Sequence, residues 1–178
     1  FSELWVLKWA ELLQIRSSNQ VSYKATLLYY NWLQDRIARN VPLNQWVQEL
    51  LGANGGTFNN PVTNYYQNET DILKVTENVA QVFMGMRIQC AQCHNHPFVD
   101  WKQNDYWGLA AFFMKVQAKP PGGKDTSSPT VSEGKAIVKN KKTLPEAAKF
   151  VPAKFLASGE ATLNSAEPYR PVLANWLT

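Results

Sequence analysis

Apolar residues recur every three to four positions along five stretches of the first 116 residues, and this spacing is typical of amphipathic α-helices. The predicted helices span residues 2–16, 22–39, 43–51, 71–89 and 104–116. Ser2 and Asn104 are the predicted N-caps of the first and last helices, and Gly52 follows the third as a helix-ending residue. The apolar stripe of the second helix consists of Tyr23, Leu27, Tyr30, Leu33 and Ile37. The fourth helix is predicted to run directly into Cys90. We therefore predict a mainly α fold, with about five helices around the segment that begins at Cys90.

The composition changes after Val116. We predict a Pro/Gly/Ser-rich linker over residues 119–129 and one or two short strands over 130–138. An extended segment is predicted over 150–156 and a further helix over 169–178. The predicted domain organisation is a helical domain over residues 1–118, a linker with a short irregular and β-containing extension over 119–168, and the start of a following helical domain over 169–178. Both ends fall inside helical patterns, so we expect a piece of a longer protein.

Composition and charge narrow the class of protein. The 178 residues are 45% apolar, which is enough for a packed core, and the uncharged stretches are too short to span a membrane. The net charge is +4, and the one dense basic stretch mixes its lysines with Ser, Gly and Asn. Those lysines are Lys135, Lys139, Lys141 and Lys142. We interpret the stretch as a solvated loop and predict no nucleic-acid partner.

The rarest residues predict where the chemistry lies. Both cysteines and both histidines of the chain, Cys90, Cys93, His94 and His96, fall within seven positions. Cys-x-x-Cys-His is the attachment motif of a c-type haem, because two thiols on one helical turn can each add to a vinyl group of the porphyrin. In this interpretation Cys90 and Cys93 form the thioether bonds and His94 is the proximal iron ligand.

Three other interpretations stay open. A zinc site would use the same cysteines with one or both histidines, but structural zinc sites usually draw ligand pairs from two separate segments, and the chain has no second pair. A redox-active dithiol usually lies at a helix N-terminus in a βαβ setting, which the sequence does not predict here. The four residues could also be structural, without a cofactor.

The sixth iron ligand decides between two kinds of haem protein. His96 cannot bind the far face of the same haem as His94, because two residues span at most about 7 Å. Among the three methionines, Met84 and Met86 lie on the helix that precedes the motif, which leaves Met114, 20 residues after His94, as the candidate distal ligand. Water, or a ligand from outside this chain, is the alternative.

Three further residues are candidates for the surroundings of the haem. His96 could form a hydrogen bond near a propionate or hold the loop before Pro97. Arg87 could pair with a propionate or lie on the surface. Trp101, together with neighbouring aromatic residues, could wall the macrocycle or belong to the core. Those neighbours are Phe98, Tyr106, Trp107 and Phe113.

The segment Val79–Phe98 resembles the planctomycete cytochrome-like domain, a domain of unknown function found in large exported proteins. The resemblance extends to the run Asn40–Leu51, and Tyr169–Leu177 resembles the opening of the second unknown-function domain that usually follows. It implies covalent haem at Cys90, Cys93 and His94, and it implies no substrate.

Together these observations predict a monohaem c-type module that transfers electrons within a larger exported protein. The alternatives are an open-coordination haem that binds or reduces a small ligand, and a zinc-stabilised or metal-free interaction domain. Because haem c is attached outside the cytoplasm, the haem prediction implies a periplasmic or other extracytoplasmic location. The expected partner is an electron donor or acceptor, or the remaining domains of the longer chain. No pair of carboxylates, nucleophile–base pair or phosphate-binding loop stands out, so the sequence assigns no catalytic residue and leaves enzymatic activity undecided.

Overall fold

The computed structural model describes residues 2–120, 128–134, 151–164 and 166–178. These residues form seven α-helices, two short 3-10 helices and five short strands, which confirms the prediction of a mainly α fold. The helices are α1 (Ser2–Leu12), α2 (Tyr23–Ala38), α3 (Leu43–Leu51), α4 (Asn64–Asn68), α5 (Ile72–Met84), α6 (Gln103–Ala111) and α7 (Arg170–Leu177). The 3-10 helices are Pro61–Thr63 and Gln89–Gln92. The strands are β1 (Gly55–Gly56), β2 (Val116–Lys119), β3 (Thr130–Glu133), β4 (Lys154–Phe155) and β5 (Gly159–Glu160).

The chain divides into two compact units. Unit 1 comprises residues 1–70, 117–132 and 177–178, and unit 2 comprises residues 71–116 and 133–176. The predicted basic stretch from Lys135 to Lys142 lies outside the described residues, as does most of the predicted linker. No helix in the described ranges is long and apolar enough to cross a membrane.

In unit 1, α2 packs against α1 with a different face from the one predicted. Ser22 caps α2 by accepting a hydrogen bond from the Ala25 amide, and the buried residues are Ala25, Tyr29 and Leu33. Tyr23, by contrast, is 76% exposed and Leu27 is 44% exposed, so the predicted stripe was wrong at these two positions. Leu33 is buried as predicted, and Tyr30 and Ile37 are half-buried. The apolar residues of α2 are distributed around the whole helix, and periodicity alone therefore does not select the buried face. The first helix also ends earlier than predicted, at Leu12.

The short helix α4 joins the rest of unit 1 through buried polar side chains. The Tyr66 hydroxyl donates to the Leu51 carbonyl, and the Gln67 side-chain amide donates to the carbonyls of Lys119 and Thr130. Those two carbonyls belong to β2 and β3, and β3 lies between β1 and β2 in a three-stranded sheet. The register of the antiparallel β1–β3 pair places Gly55 opposite Val131. Helix α4 is not among the helices predicted from the hydrophobic pattern.

In unit 2, α5 ends five residues before the predicted boundary and does not run into Cys90. Asp71 caps its start by accepting from the Leu73 amide, as the predicted boundary implies. At its end Gly85 takes a left-handed conformation with φ of 67°, and the Gly85 and Met86 amides both bond the Ala80 carbonyl. Glycine adopts this conformation without a steric penalty, and it terminates the helix. The prediction of a helix over 71–89 was therefore wrong at its C-terminal end.

Helix α6 is the core of unit 2. It begins at Gln103, not at Asn104, because the Asp105 carboxylate accepts the Lys102 amide and makes Lys102 the N-cap. Every residue of α6 from Asp105 onward is buried. The chain turns after Ala111 and enters β2 at Val116, so the predicted helix over 104–116 is shorter than expected.

The β4–β5 hairpin docks directly on α6 at Gly108. A Cβ atom added there would lie 2.5 Å from Lys154 Cβ, so only glycine permits this approach. Beside it the Phe155 ring stacks on Phe112, with centroids 5.2 Å apart, and on Trp176, with centroids 5.0 Å apart. These contacts fix the hairpin against the C-terminal half of α6, and the ion pair between Lys154 and Asp105 connects it to the first turn of the helix.

A buried ion pair fixes α7 within unit 2. Arg170 Nε lies 2.9 Å from Glu133 Oε2, and the two side chains are 0% and 2% exposed, respectively. The other Glu133 oxygen accepts the Tyr169 amide. The Lys115 ammonium lies 3.7 Å from the centroid of the Tyr169 ring and donates to the Glu167 carbonyl. The helix predicted from Tyr169 onward is thus present as α7.

Candidate functional site

The Cys-x-x-Cys-His segment lies in unit 2, against the N-terminal half of α6. The Gln92 carbonyl accepts hydrogen bonds from Gln103 Nε2, at 3.1 Å, and from Trp107 Nε1, at 3.2 Å. Ile88 and Ala91 are buried on either side of Cys90. The backbone of the motif is therefore held by side chains of α6, and it does not depend on the cysteines for its position.

The two cysteines, unlike Ile88 and Ala91, are accessible to solvent. Cys90 and Cys93 are both exposed and both are free thiols. Cys90 lies inside the 3-10 helix and Cys93 directly follows it, with Ala91 buried between them. Both sulfur atoms are thus accessible to a partner that approaches from solvent.

His94 is oriented by the carbonyl of the next residue. Its Nδ1 lies 2.7 Å from the Asn95 carbonyl oxygen, and because a carbonyl only accepts, Nδ1 must donate. A neutral ring with its proton at Nδ1 carries a lone pair at Nε2. The side chain is exposed, and no described residue occupies Nε2. This is the arrangement that metal-binding histidines use, with one ring nitrogen donating to a carbonyl and the other free for the metal.

His96 has the opposite arrangement. Its Nδ1 accepts the amides of Phe98, at 3.2 Å, and Val99, at 3.3 Å, so the lone pair is already used and a neutral ring carries its proton at Nε2. The His96 amide donates to the Trp101 carbonyl at 2.8 Å. Of the two roles predicted for His96, this geometry favours holding the loop that follows it.

The family comparison covers this segment and the helices before it. Residues 1–118 match the model of PSCyt2, described as a protein of unknown function (DUF1549). The chain belongs to the PSCyt2 family. No curated protein and no solved structure matches it. The resemblance found in the sequence is confirmed at this level, that of a domain of unknown function, and the family description assigns no activity.

In this PSCyt2 chain the candidate distal ligand Met114 is a core residue. It lies in the turn after α6 and is 2% exposed, whereas His94 is exposed. Met84 and Met86, on either side of Gly85, are half-buried. No contact between a methionine sulfur and His94 is found among the described residues, so Met114 as the distal ligand stays a prediction.

The other predicted surroundings of the motif separate into surface and core. Arg87 is exposed and has no ion-pair partner in the described part of the chain. Trp101 is half-buried and Phe98 is 90% exposed. Tyr106, Trp107 and Phe113 are at most 1% exposed, so they belong to the core and do not line an open surface.

A cleft of about 650 Å³ adjoins the motif loop on the side of the β4–β5 hairpin. Its lining residues are Val99, Asp100, Trp101, Lys102, Asp105, Lys154, Ala157 and Gly159. Asp105 Oδ1 and Lys154 Nζ are 2.6 Å apart. Burial raises the pKa of Asp105, but hydrogen bonds from the Lys154 ammonium and the Lys102 amide outweigh burial, so its pKa lies below the ordinary value. The cleft therefore contains an ion pair that is formed at neutral pH.

Tyr106 connects α6 to α5 through a hydrogen bond. Its hydroxyl donates to Glu77 Oε1 at 3.1 Å. Burial, followed by the nearby Glu77 carboxylate, raises the pKa of Tyr106 far above its ordinary value. Tyr106 is therefore protonated at neutral pH and donates to Glu77.

The described residues contain no group of side chains that fits the zinc interpretation. Among the described residues, no three side chains of His, Cys, Asp or Glu come together in a way that could hold a metal ion. A haem needs only one nitrogen ligand from this segment besides the two thiols, so the same finding does not bear on it.

Two positioning residues were missed at the sequence level. Gln103 donates its side-chain amide to Gln92, and its backbone amide donates to Asn95 Oδ1 at 3.1 Å. Asn95 thus connects the motif to α6 through its side chain while its carbonyl orients His94. A single Gln or Asn in a polar stretch carries no sequence signal for such a role.

Proposed function

We propose that this chain is a monohaem c-type cytochrome module that transfers electrons within a larger exported protein. The observation that carries the proposal is the state of His94: its Nδ1 proton is committed to the Asn95 carbonyl, which leaves the Nε2 lone pair free beside two exposed thiols. An exposed histidine needs no such constraint for stability, whereas an iron ligand does.

Each residue of the motif has a separate role in this proposal. Cys90 and Cys93 would hold the haem covalently, each thiol adding across a vinyl group so that sulfur bonds one vinyl carbon and the hydrogen passes to the other. His94 would bind the iron through Nε2, and the Asn95 carbonyl would fix its tautomer and raise its basicity. Bound haem supplies one-electron chemistry at its iron. Gln92, held by Gln103 and Trp107, keeps the motif in register on α6.

The proposal sets the location and the partner. Haem c is attached outside the cytoplasm, so the chain would work in the periplasm or another extracytoplasmic compartment. The electron donor or acceptor would be another protein or other domains of a longer chain.

Intact-mass spectrometry tests the proposal directly. The chain, produced in a host with haem-ligation machinery, should be heavier than its sequence by one haem, roughly 616 Da, because vinyl addition loses no atoms. It should also retain haem on a denaturing gel, and Cys90→Ser with Cys93→Ser should abolish the mass increase. An unmodified mass and a colourless protein would refute the proposal.

The two histidines provide a matched comparison. His94→Gln should change the absorbance spectrum of the attached haem, because the proximal nitrogen is lost. His96→Gln should preserve the spectrum of a histidine-ligated haem, because both nitrogens of His96 are unsuited to iron in the folded loop. Identical spectra for both variants would contradict the assignment of His94.

An open-coordination haem is a second candidate, because Met114 is buried in the core while His94 is exposed. Such a haem would bind or reduce a small ligand at its sixth position. Met114→Leu removes the sulfur and keeps the volume. A high-spin spectrum that this substitution leaves unchanged supports the second candidate, and a methionine-ligated spectrum that it abolishes supports electron transfer. Elemental analysis with stoichiometric zinc and no iron would select the zinc-stabilised alternative.

A further inference from the structure

Two large apolar side chains are held in solvent beside the motif. Phe98 is 90% exposed and Val99 is 49% exposed. Among the described residues of unit 2, they are the only large apolar side chains exposed to this degree. They follow His94 by four and five residues, so both lie within about 18 Å of it along the chain. The large exposed apolar side chains described in this unit thus both lie in the loop that directly follows the Cys-x-x-Cys-His segment.

The loop that carries these side chains is ordered by specific hydrogen bonds. The Phe98 and Val99 amides both donate to His96 Nδ1, and the Trp101 amide donates to the Val99 carbonyl. The His96 amide closes the loop by donating to the Trp101 carbonyl at 2.8 Å. Because the backbone of Phe98 and Val99 is fixed by these bonds, the exposure of their side chains is built into the loop.

Apolar surface displayed in this way needs a partner that is itself apolar. The partner must also reach the exposed sulfur atoms of Cys90 and Cys93 and the free nitrogen of His94. A flat aromatic macrocycle joined to those two thiols meets both requirements, since its edge is fixed at the cysteines and its face is apolar.

Resting on the proposed function, we infer that Phe98 and Val99 form an apolar wall that covers part of the haem held by Cys90 and Cys93 and shields it from water. His96 is then a positioning residue that holds this wall in place. Water around a haem favours the ferric state, which carries the additional positive charge, so a wall that excludes water raises the reduction potential.

The test compares one variant in two forms of the protein. In the haem-free chain, Phe98→Ala should leave the unfolding equilibrium unchanged, because the side chain is already 90% exposed. In the haem-loaded chain the same substitution should lower the folded-to-unfolded ratio roughly tenfold to a hundredfold, because burying a Phe side chain contributes about 1.5–3 kcal/mol. The haem stays attached in the unfolded chain, so the difference between the two forms measures how strongly Phe98 packing on the haem stabilises the folded state. The reduction potential of the loaded variant should also fall.

Tyr23→Ala is the matched control, because Tyr23 is 76% exposed but belongs to unit 1. It should change neither form. If haem is attached and Phe98→Ala alters neither the stability of the loaded form nor its potential, the wall is refuted while the proposed function stands. If no haem is attached at all, the proposed function is refuted and the wall with it. A loss of stability in the haem-free Phe98→Ala chain would show that Phe98 packs on the protein itself, and this would overturn the inference.

Discussion

The buried ion pair between Glu133 and Arg170 should be a large single contributor to the stability of unit 2. Replacing Glu133 with Ala removes a carboxylate that is 2% exposed and that lies 2.9 Å from Nε of Arg170, whose side chain is 0% exposed. The same substitution removes the acceptor of the Tyr169 amide at the start of α7. The buried Arg170 side chain and the partly buried Tyr169 amide would therefore both lose the Glu133 carboxylate in one step.

The magnitude follows from the burial of the pair. Removing one partner of a buried ion pair costs about 3–5 kcal/mol, because the remaining charge stays desolvated without compensation. In a chain of this length each kcal/mol lowers the melting temperature by roughly 2–4 °C, so Glu133→Ala should lower it by roughly 6–20 °C. An exposed pair such as Arg39 with Asp35 should contribute less than about 1 kcal/mol and serves as the internal comparison.

A double-mutant cycle separates the pair from its surroundings. Glu133→Leu combined with Arg170→Met removes both charges and keeps most of the volume, so much of the stability should be recovered. The assay is urea and thermal unfolding followed by circular dichroism for the parent, the two single variants and the double variant. Single variants that cost less than about 1 kcal/mol, or a double variant whose cost equals the sum of the two, would refute the reasoning.

Two further predictions concern the contacts of α6 with the β4–β5 hairpin. Gly108→Ala should destabilise the fold by about 1–3 kcal/mol, because the new Cβ would lie 2.5 Å from Lys154 Cβ. Helix propensity alone predicts the opposite, a stabilised variant, so a raised unfolding midpoint would contradict this prediction. Asp105→Asn should remove a pH-dependent part of the stability, because the pKa of Asp105 is lowered in the folded state. The stabilisation by the Asp105 carboxylate is complete above the ordinary pKa of 3.8 and is lost as the pH falls through the lower pKa of the folded state. Unfolding measured from about pH 2 to pH 7 should therefore show a parent advantage that shrinks only at the acid end, and an advantage that is constant across this range would rule the mechanism out.

Periodicity predicted the positions of the described helices except α4, but it predicted only some of their ends and buried faces. The bounds of α3 agree with the prediction at both ends, since Pro42 and Gly52 flank a clean amphipathic run. Helix α5 was predicted too long because apolar residues continue beyond Met84, while the left-handed Gly85 ends the hydrogen-bonded helix. Gly85 alone could have indicated that end, but an isolated glycine inside a helical pattern is often tolerated.

The identity of the motif was visible in the sequence, whereas the difference between its two histidines was not. The Cys-x-x-Cys-His spacing predicted His94 as the proximal iron ligand, and chain reach excluded His96 from the far face of the same haem. The opposite tautomers of the two rings depend on the Asn95 carbonyl and on the amides of Phe98 and Val99, which are backbone groups present at every position. Only the fold of the loop selects which of them meets a ring nitrogen.

The residues that anchor the Cys-x-x-Cys-His segment are different from the residues that carry its reactive atoms. The groups that anchor the segment are buried or bonded to α6, as Ile88, Ala91 and Gln92 are. Cys90, Cys93 and His94 are exposed, and surface substitutions away from such anchors usually change stability by no more than about 0.5 kcal/mol. Variants of these three residues should therefore fold like the parent, so any chemistry that disappears can be attributed to the missing sulfur or nitrogen atom.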